Sequence, residues 1–289
     1  MRRSCSKSNC STSEPGAAPP PVAPSRAFTG RPPDHDPPRR PSLSLRRYGA
    51  VQASDVHDFH QIVLGVDGAM TMTVDGVDER IDRRCAWLIP AGARHDYAGL
   101  ADNSQLVLDL PPGSLAVPER LFERARTMAI DPGLTTLVGE LASRIARGPL
   151  ADAASARRLH WQAAARLCGA LVGELDGAPS QPAVGLDFAR IDGWLRAHLA
   201  QPLRIADLAA HCGFGMRRFH QLFCEAFGET PHRYLQRLRL DAAVMLLGDP
   251  KHSLTDIASE VGFADQSAFT HAFTKRFGLA PGRWRSDRH

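Results

Sequence analysis

The sequence predicts an α+β protein of several domains, with β-structure in the N-terminal half, a helical middle region and an all-α C-terminal domain of two helix-turn-helix units. Three observations carry this prediction. Short apolar runs separated by turn signals fill residues 44–115, apolar residues recur at helical spacing in residues 116–178, and residues 183–289 contain one pattern twice. Residues 1–43 show none of these signals, and we assign them to a tail.

Length and composition are those of an ordinary globular protein of about two domains. The chain has 289 residues, of which 43% are hydrophobic and 23% charged. It contains no run of about 18 apolar residues that would span a membrane, and the N-terminus lacks the apolar segment of a secretory signal. The six cysteines form no Cys-x-x-Cys pair, which is typical of a reducing compartment. We therefore expect a cytoplasmic protein with no membrane partner.

The tail is rich in proline, serine and arginine and has few apolar side chains to bury, so its composition favours disorder. Residues 1–43 carry seven basic and three acidic side chains. Two interpretations stay open. The tail is either a basic arm that assists binding to a polyanion, or a dispensable segment, which includes the case of a start codon assigned too early.

The β-region of residues 44–115 is predicted from alternation and turns. Residues 68–74 alternate between apolar and polar side chains and end at Asp75-Gly76, a strong hairpin signal. Further strand-like runs cover residues 61–66, 78–82, 86–90 and 105–110. Many short strands with turn signals indicate a sandwich or a barrel.

The middle region of residues 116–178 carries two apolar stripes at three- and four-residue spacing. They consist of Leu134, Leu137, Leu141 and Ile145, followed by Leu159, Ala163, Leu167 and Leu171. We expect most of these side chains to pack in the core, while a remaining stripe would serve a homodimer. Residues 177–182 have the composition of a linker.

The repeat in the C-terminal region predicts two helix-turn-helix units, at about residues 203–228 and 252–278. Its members recur about fifty positions apart: Phe219, Phe223, Phe227, Gly228 and Pro231 match Phe269, Phe273, Phe277, Gly278 and Pro281. In each unit, the phenylalanines fall on one helix face and a glycine ends the helix. Between the units, residues 231–247 form one predicted connecting helix.

Hydrogen-bonding side chains occupy the face of each unit that the phenylalanines leave outside. They are Arg217, His220 and Gln221 in the first unit, and Gln266, Ser267, Thr270 and His271 in the second. Such groups can bond base edges or phosphates. Residues 185–289 also carry 14 basic and 11 acidic side chains and seven of the twelve histidines, which suits a polyanion partner.

These residues resemble the AraC/XylS family of bacterial transcription regulators over about residues 185–286. The most specific part runs from Ile257-Ala258 through Val261-Gly262-Phe263 to Asp265-Gln266-Ser267 and Lys275-Arg276-Phe277-Gly278. The resemblance implies that the seven outward residues touch bases of double-stranded DNA. We expect phosphate contacts from Arg233, Arg237, Lys275 and Arg276. The chain departs from the family at Gly215, where a Ser or Thr cap is usual, and at His271 and Thr274, where basic residues are common.

A second resemblance concerns the N-terminal half. The run from Pro90 to His95 is similar to the Pro-x-Gly-x-x-His box of cupin barrels, so residues 48–112 look like a cupin-type sensor. His57, His60 and His95 could meet in the mouth of such a barrel. They would then bind an organic effector or a divalent metal, or they would only hydrogen-bond the barrel. We expect no cofactor beyond this candidate metal, and no catalytic residue.

We therefore expect a sequence-specific DNA-binding transcription regulator that responds to a small-molecule effector. The partners implied are double-stranded DNA, the effector, a second copy of the chain and RNA polymerase. Two alternatives stay open: a metal-dependent cupin enzyme fused to a DNA-binding module, and an effector-independent regulator with a degenerate barrel.

Overall fold

The computed structural model describes residues 38–148, 152–176, 186–201 and 203–287. Most of the predicted tail and all of the linker at residues 177–182 lie outside these ranges. The first strand, β1 (Ser42–Arg46), begins inside the segment that we assigned to the tail. It does so because Leu43 is buried, with only 3% of its surface exposed, and joins the core.

The N-terminal half forms one seven-stranded antiparallel sheet. Its strands are β1, β2 (Ala53–Asp55), β3 (His60–Val74), β4 (Val77–Ile81), β5 (Cys85–Ile89), β6 (His95–Leu110) and β7 (Arg126–Ala129). The order is β1-β6-β3-β5-β7, with β2 also paired to β6 and β4 also paired to β3. Within the described residues no strand pair closes this sheet, so the predicted α+β class is confirmed but the predicted barrel is an open sheet.

The centre of the sheet consists of two long strands, β3 and β6, which pair over almost their whole length. Irregularities interrupt this pairing between Gly65 and Asp67 and between Asp67 and Ala69. Bulges of this kind bend a strand. The predicted hairpin is present, because Asp75 and Gly76 join β3 to β4 with φ values of 51° and 79°. Both residues therefore adopt the left-handed conformation that a two-residue hairpin turn requires.

The middle region is only partly helical. Residues 116–131, predicted as the start of the helical region, instead contain a short 3-10 turn (Glu119–Phe122) and strand β7, which pairs with β5. Two helices follow, α1 (Pro132–Ala146) and α2 (Ala153–Asp176). The side chain of Asp131 accepts a hydrogen bond from Leu134 N and caps α1, whose first residue is proline.

The C-terminal half consists of helices in the described residues, with the bounds α3 (Phe188–Ala197), α4 (Ile205–His211), α5 (Met216–Phe227), α6 (Pro231–Leu246), α7 (Leu254–Glu260), α8 (Gln266–Phe277) and α9 (Pro281–Ser286). We call α4 and α5 the first unit, and α7 and α8 the second unit. The helices α5 and α8 end at Gly228 and Gly278, which have φ values of 74° and 76°. The left-handed conformation of glycine thus ends both helices as the repeat predicts.

Three hydrophobic clusters hold the chain together. The largest runs from one face of the sheet through α1 and α2 into the first unit and ends at Leu238 of α6. A second cluster belongs to the later part of α6 and the second unit. A third lies on the other face of the sheet, around Val63, Trp87 and Val107. The first unit therefore shares a core with the N-terminal half, whereas the second unit has its own.

Candidate nucleic-acid interface

The first unit presents three of the predicted contact residues to solvent. Phe219, Phe223 and Phe227 lie on the buried side of α5, where the rings of Phe223 and Phe227 stack with centroids 4.0 Å apart. Arg217, His220 and Gln221 are exposed on the opposite side. These residues face outward because 3.6 residues per turn separate them from the phenylalanine stripe.

The N-terminus of α5 has no side-chain cap. Gly215 occupies the cap position and supplies no side-chain oxygen. The first backbone N–H groups of a helix have no partner within the helix, and anions bind there readily. The glycine at this position therefore leaves the start of α5 open to an anionic ligand beside Arg217.

The second unit has stronger caps. Asp265 Oδ1 accepts a 2.7 Å hydrogen bond from Ala268 N at the start of α8. Ser253 and Asp256 form a capping box at the start of α7. These caps fix the two helix starts and the turn between them, since each one satisfies backbone donors that the helix itself leaves free.

The four contact residues predicted in the second unit lie together. They line one solvent-open concavity of about 620 Å³, together with Thr274. Its lining consists of Gln266, Ser267, Thr270, His271 and Thr274. Their side chains offer amide, hydroxyl and imidazole groups, which can both donate and accept hydrogen bonds. The arrangement is a shallow polar surface on one face of a helix.

Thr255 contacts this surface and was not among the predicted residues. Its hydroxyl donates a 2.7 Å hydrogen bond to Gln266 Oε1 from the neighbouring helix α7. This hydrogen bond turns the amide oxygen of Gln266 toward α7, so that its NH2 group is available to a ligand. Sequence spacing gave no signal for this contact, because the two residues lie on different helices and meet only through the turn.

Among the four predicted phosphate contacts, Arg233 and Lys275 are exposed, whereas the other two are engaged within the protein. Arg237 donates to Glu229 Oε1 through Nε and Nη2, at 3.2 and 3.1 Å. Arg276 donates to the backbone oxygen of Arg237 at 2.7 Å and to Asp241 at 2.6 Å. Arg237 and Arg276 therefore join structural elements, and Arg276 fastens α8 to the connecting helix α6.

In the N-terminal half, the structure brings together two of the three predicted histidines. The rings of His57 and His95 lie 5.1 Å apart, centroid to centroid. His60 instead stacks on Phe122 at 4.3 Å, and its Nε2 lies 3.3 Å from Glu119 Oε2. Burial lowers the pKa of both His60 and His95 below the ordinary value of 6.5.

His60 thus contacts Phe122 and Glu119 instead of stacking with the other two imidazoles, and strand alternation gives the reason. Successive side chains of β3 point to opposite faces, so His60 shares the face of Ile62 and Leu64. No group of three or more His, Cys, Asp or Glu side chains in the described ranges could hold a metal ion. These residues do not fit a divalent metal.

A polar cluster on the other face of the sheet was missed by the sequence reasoning. Arg46 pairs with Asp109, which also accepts a 2.8 Å hydrogen bond from Gln61 Nε2. Gln105 lies opposite Arg46 in the register, is fully buried, and has no hydrogen-bond partner for either amide atom within the described structure. Such an unpaired buried amide is rare, since its desolvation is unfavourable. The sequence did carry a signal for this cluster, because Gln105 and Asp109 are polar residues within the apolar end of β6.

Three comparisons place these features among known proteins. A family model described as a helix-turn-helix domain matches residues 208–287. Probable transcriptional regulator LumQ from Photobacterium leiognathi is 25% identical over 246 residues, which are 85% of this chain and 97% of LumQ. HTH-type transcriptional activator RhaR from Klebsiella pneumoniae is 28% identical over 254 residues, 81% of this chain and 88% of RhaR.

Among solved structures, a transcriptional regulator with an AraC-type DNA-binding domain from Chromobacterium violaceum is 27% identical. It covers 35% of this chain and 89% of its own, with a TM-score of 0.33. Because that TM-score is low, the structural match carries no argument. The resemblance to DNA-binding transcription regulators depends on the family model and on the two sequence relatives, which match over nearly their whole length.

Proposed function

We propose, from the premise that this chain belongs to the AraC family of DNA-binding transcription regulators, that α5 and α8 are its two reading helices and that each enters the major groove of DNA. The observation that carries this proposal is the pair of exposed polar faces, opposite two matched phenylalanine stripes. Because the polar residues differ between the helices, the two half-sites within one footprint have different sequences.

The connecting helix supports the proposal. The 16 residues of α6 span about 24 Å at 1.5 Å per residue. The contacts of Arg276 with Asp241 and with the backbone of Arg237 fasten the second unit to it. Successive major grooves on one side of DNA lie roughly 34 Å apart. The length of α6 is most of the distance between these grooves. A rigid connecting helix of this length suits two helices that read neighbouring grooves.

Two substitutions test the assignment of the reading faces. We expect Arg217→Ala and Gln266→Ala each to weaken binding by about 1–3 kcal/mol, because each removes one base contact. Binding would be measured on a site selected from random DNA by the unaltered protein, at fixed salt concentration. Arg166→Ala and Gln162→Ala in α2 are matched controls that remove the same groups from a helix that belongs to neither unit. Unchanged affinity in both test variants would reject this assignment.

We infer that the N-terminal half binds a small-molecule effector at the polar cluster around Arg46, Gln105 and Asp109. The unpaired amide of buried Gln105 supports this location, since a bound polar molecule would satisfy it. Thermal unfolding in the presence of a metabolite library tests the idea. A ligand that stabilises the unaltered protein but not Gln105→Leu would support it. The absence of any stabilising ligand would favour an effector-independent regulator.

We propose that the chain is not an enzyme, that it acts in the cytoplasm, and that it works as a homodimer that engages RNA polymerase. None of the helices in the described ranges combines the length and hydropathy that a bilayer span needs. The separation of His60 from His57 and His95 gives no support to a metal-dependent cupin enzyme.

A further inference from the structure

The two reading helices differ in what holds them. The core of the first unit is continuous with the sheet and α2, whereas the second unit packs in a separate cluster with the later part of α6. Phe188 bridges this continuity, since its ring lies 5.8 Å from Trp161 of α2 and 4.9 Å from Phe227 of α5. Among the described residues, the hydrophobic core of the sheet and α2 therefore extends into the first unit and not into the second.

The carboxylate of Glu225 on α5 accepts several hydrogen bonds across this contact. Glu225 Oε1 accepts hydrogen bonds from the hydroxyl of Ser114 and, at 3.1 Å, from Trp161 Nε1. Glu225 Oε2 accepts a 3.0 Å hydrogen bond from Leu115 N. Ser114 and Leu115 lie on the segment after β6, and Trp161 lies on α2 of the middle region, which shares its core with the sheet. Hydrogen bonds to a charged acceptor are stronger than those between neutral groups.

The position of Glu225 on α5 relates this contact to DNA reading. Residues four apart on a helix lie on the same side, so Glu225 continues the line of Arg217 and Gln221 by one more turn. The N-terminal half thus holds α5 directly beyond the side chains that face DNA. At the end of the helix, Arg157 Nη1 donates a 3.3 Å hydrogen bond to the backbone oxygen of Phe227.

We infer that Glu225 is a positioning residue, through which the N-terminal half sets the orientation of the first reading helix and leaves the second reading helix unaffected. This inference rests on the proposed function, because it requires α5 to read one half-site. Without the Glu225 contacts, α5 keeps its phenylalanine core but loses the donors that fix its rotation. Base readout depends on that rotation, whereas the second reading helix is fixed by Asp241 and Arg276.

The test removes the two side-chain donors, keeps the backbone donor Leu115 N, and leaves the DNA-binding half unaltered. Ser114→Ala removes the hydroxyl, and Trp161→Phe removes the indole N–H while keeping a buried ring. Each variant is measured on three DNAs: the selected site, the same site with the first half-site scrambled, and the same site with the second half-site scrambled. The Arg217→Ala variant identifies the first half-site. Scrambling that half-site no longer lowers the affinity of this variant.

We expect the double variant Ser114→Ala/Trp161→Phe to lose at least fivefold in discrimination against the scrambled first half-site. Its discrimination against the scrambled second half-site stays within twofold of the unaltered protein. Each single variant shows a smaller loss in the same direction. Trp87→Phe, which changes a buried tryptophan of the sheet whose indole N–H has no hydrogen-bond partner among the described residues, is the matched control and leaves both ratios unchanged.

Three outcomes would overturn the inference. Unchanged discrimination at the first half-site would show that Glu225 does not set the reader. Equal losses at both half-sites would show a general structural role, and the second half-site thus serves as an internal check on folding. If scrambling the first half-site leaves the unaltered protein's affinity unchanged, the reading assignment of α5 fails and this inference fails with it.

Discussion

At the scale of single residues, the environment of Gln266 predicts which base its side chain prefers. Thr255 donates to Gln266 Oε1, so the NH2 group with its two donors faces outward. Guanine offers two acceptors in the major groove, N7 and O6, whereas adenine offers one acceptor and one donor. A glutamine held in this orientation therefore suits guanine better than adenine.

Removal of the Thr255 hydroxyl tests this preference. In Thr255→Val the amide of Gln266 is free to turn over and present its oxygen as well. We expect the preference for guanine over adenine at the contacted position to fall by about 1–3 kcal/mol, the range of one bidentate contact. Competition binding among four sites that differ only at that position measures it. Thr255→Ser keeps the donor and should keep the preference; equal preferences in the valine and serine variants would contradict the argument.

At the scale of secondary-structure elements, the neighbouring cations of α8 have different tasks. Arg276 is bound to Asp241 and to the backbone of α6, whereas Lys275 is exposed. Arg276 therefore contributes to the attachment of the second unit, whereas Lys275 is available to a phosphate. Adjacent positions in one helix thus hold one cation that is engaged within the protein and one that is exposed.

The pair Arg276→Ala and Lys275→Ala measures this division. We expect Arg276→Ala to lower the free energy of unfolding by about 1 kcal/mol, a value that allows for partial exposure of the ion pair. Lys275→Ala should change it by less than about 0.5 kcal/mol. In DNA binding, only Lys275→Ala should reduce the slope of log affinity against log salt, by about one unit. Urea unfolding and salt titrations provide the measurements; a reduced slope in Arg276→Ala would contradict the assignment.

The elements also show which parts of the fold the sequence could predict. The phenylalanine repeat predicted where both units begin and end to within two residues, because spacing, capping and terminal glycines are local properties. Strand β7 was missed, since a four-residue edge strand depends on its pairing with β5. The contacts of His60 with Phe122 and Glu119 were not predicted for a related reason, since the face of a strand residue depends on register. The donors to Glu225 lie 64 to 111 residues away in sequence, beyond any local signal.

At the scale of the whole molecule, two buried histidines make folding stability depend on pH. Burial lowers the pKa of His60 and His95 in the folded protein below the ordinary value of 6.5. As pH falls below about 6.5, the unfolded chain binds protons that the folded protein does not, so the folded protein loses relative stability. The stability that these groups contribute is therefore present above this pH and is lost as pH falls through the lowered pKa values.

Urea unfolding at pH 7.5, 6.5 and 5.5 tests this dependence. We expect the free energy of unfolding to decrease towards pH 5.5, and to decrease less in His95→Asn, which cannot take up the proton. His232→Asn, a change at an exposed histidine of α6, serves as the control and should follow the unaltered protein. An identical pH dependence in the His95 and His232 variants would show that the buried imidazole is not responsible.

The continuous core between the sheet, α2 and the first unit also limits how this protein can be cut into parts. A fragment that starts after α2 would keep both helix-turn-helix units but would lose the side chains that cover one flank of α5, among them Trp161. Apolar surface of the first unit would then face water, whereas the second unit would remain covered by its own cluster. Excision at the start of the DNA-binding half therefore uncovers apolar surface on the first unit, while the core cluster of the second unit stays intact.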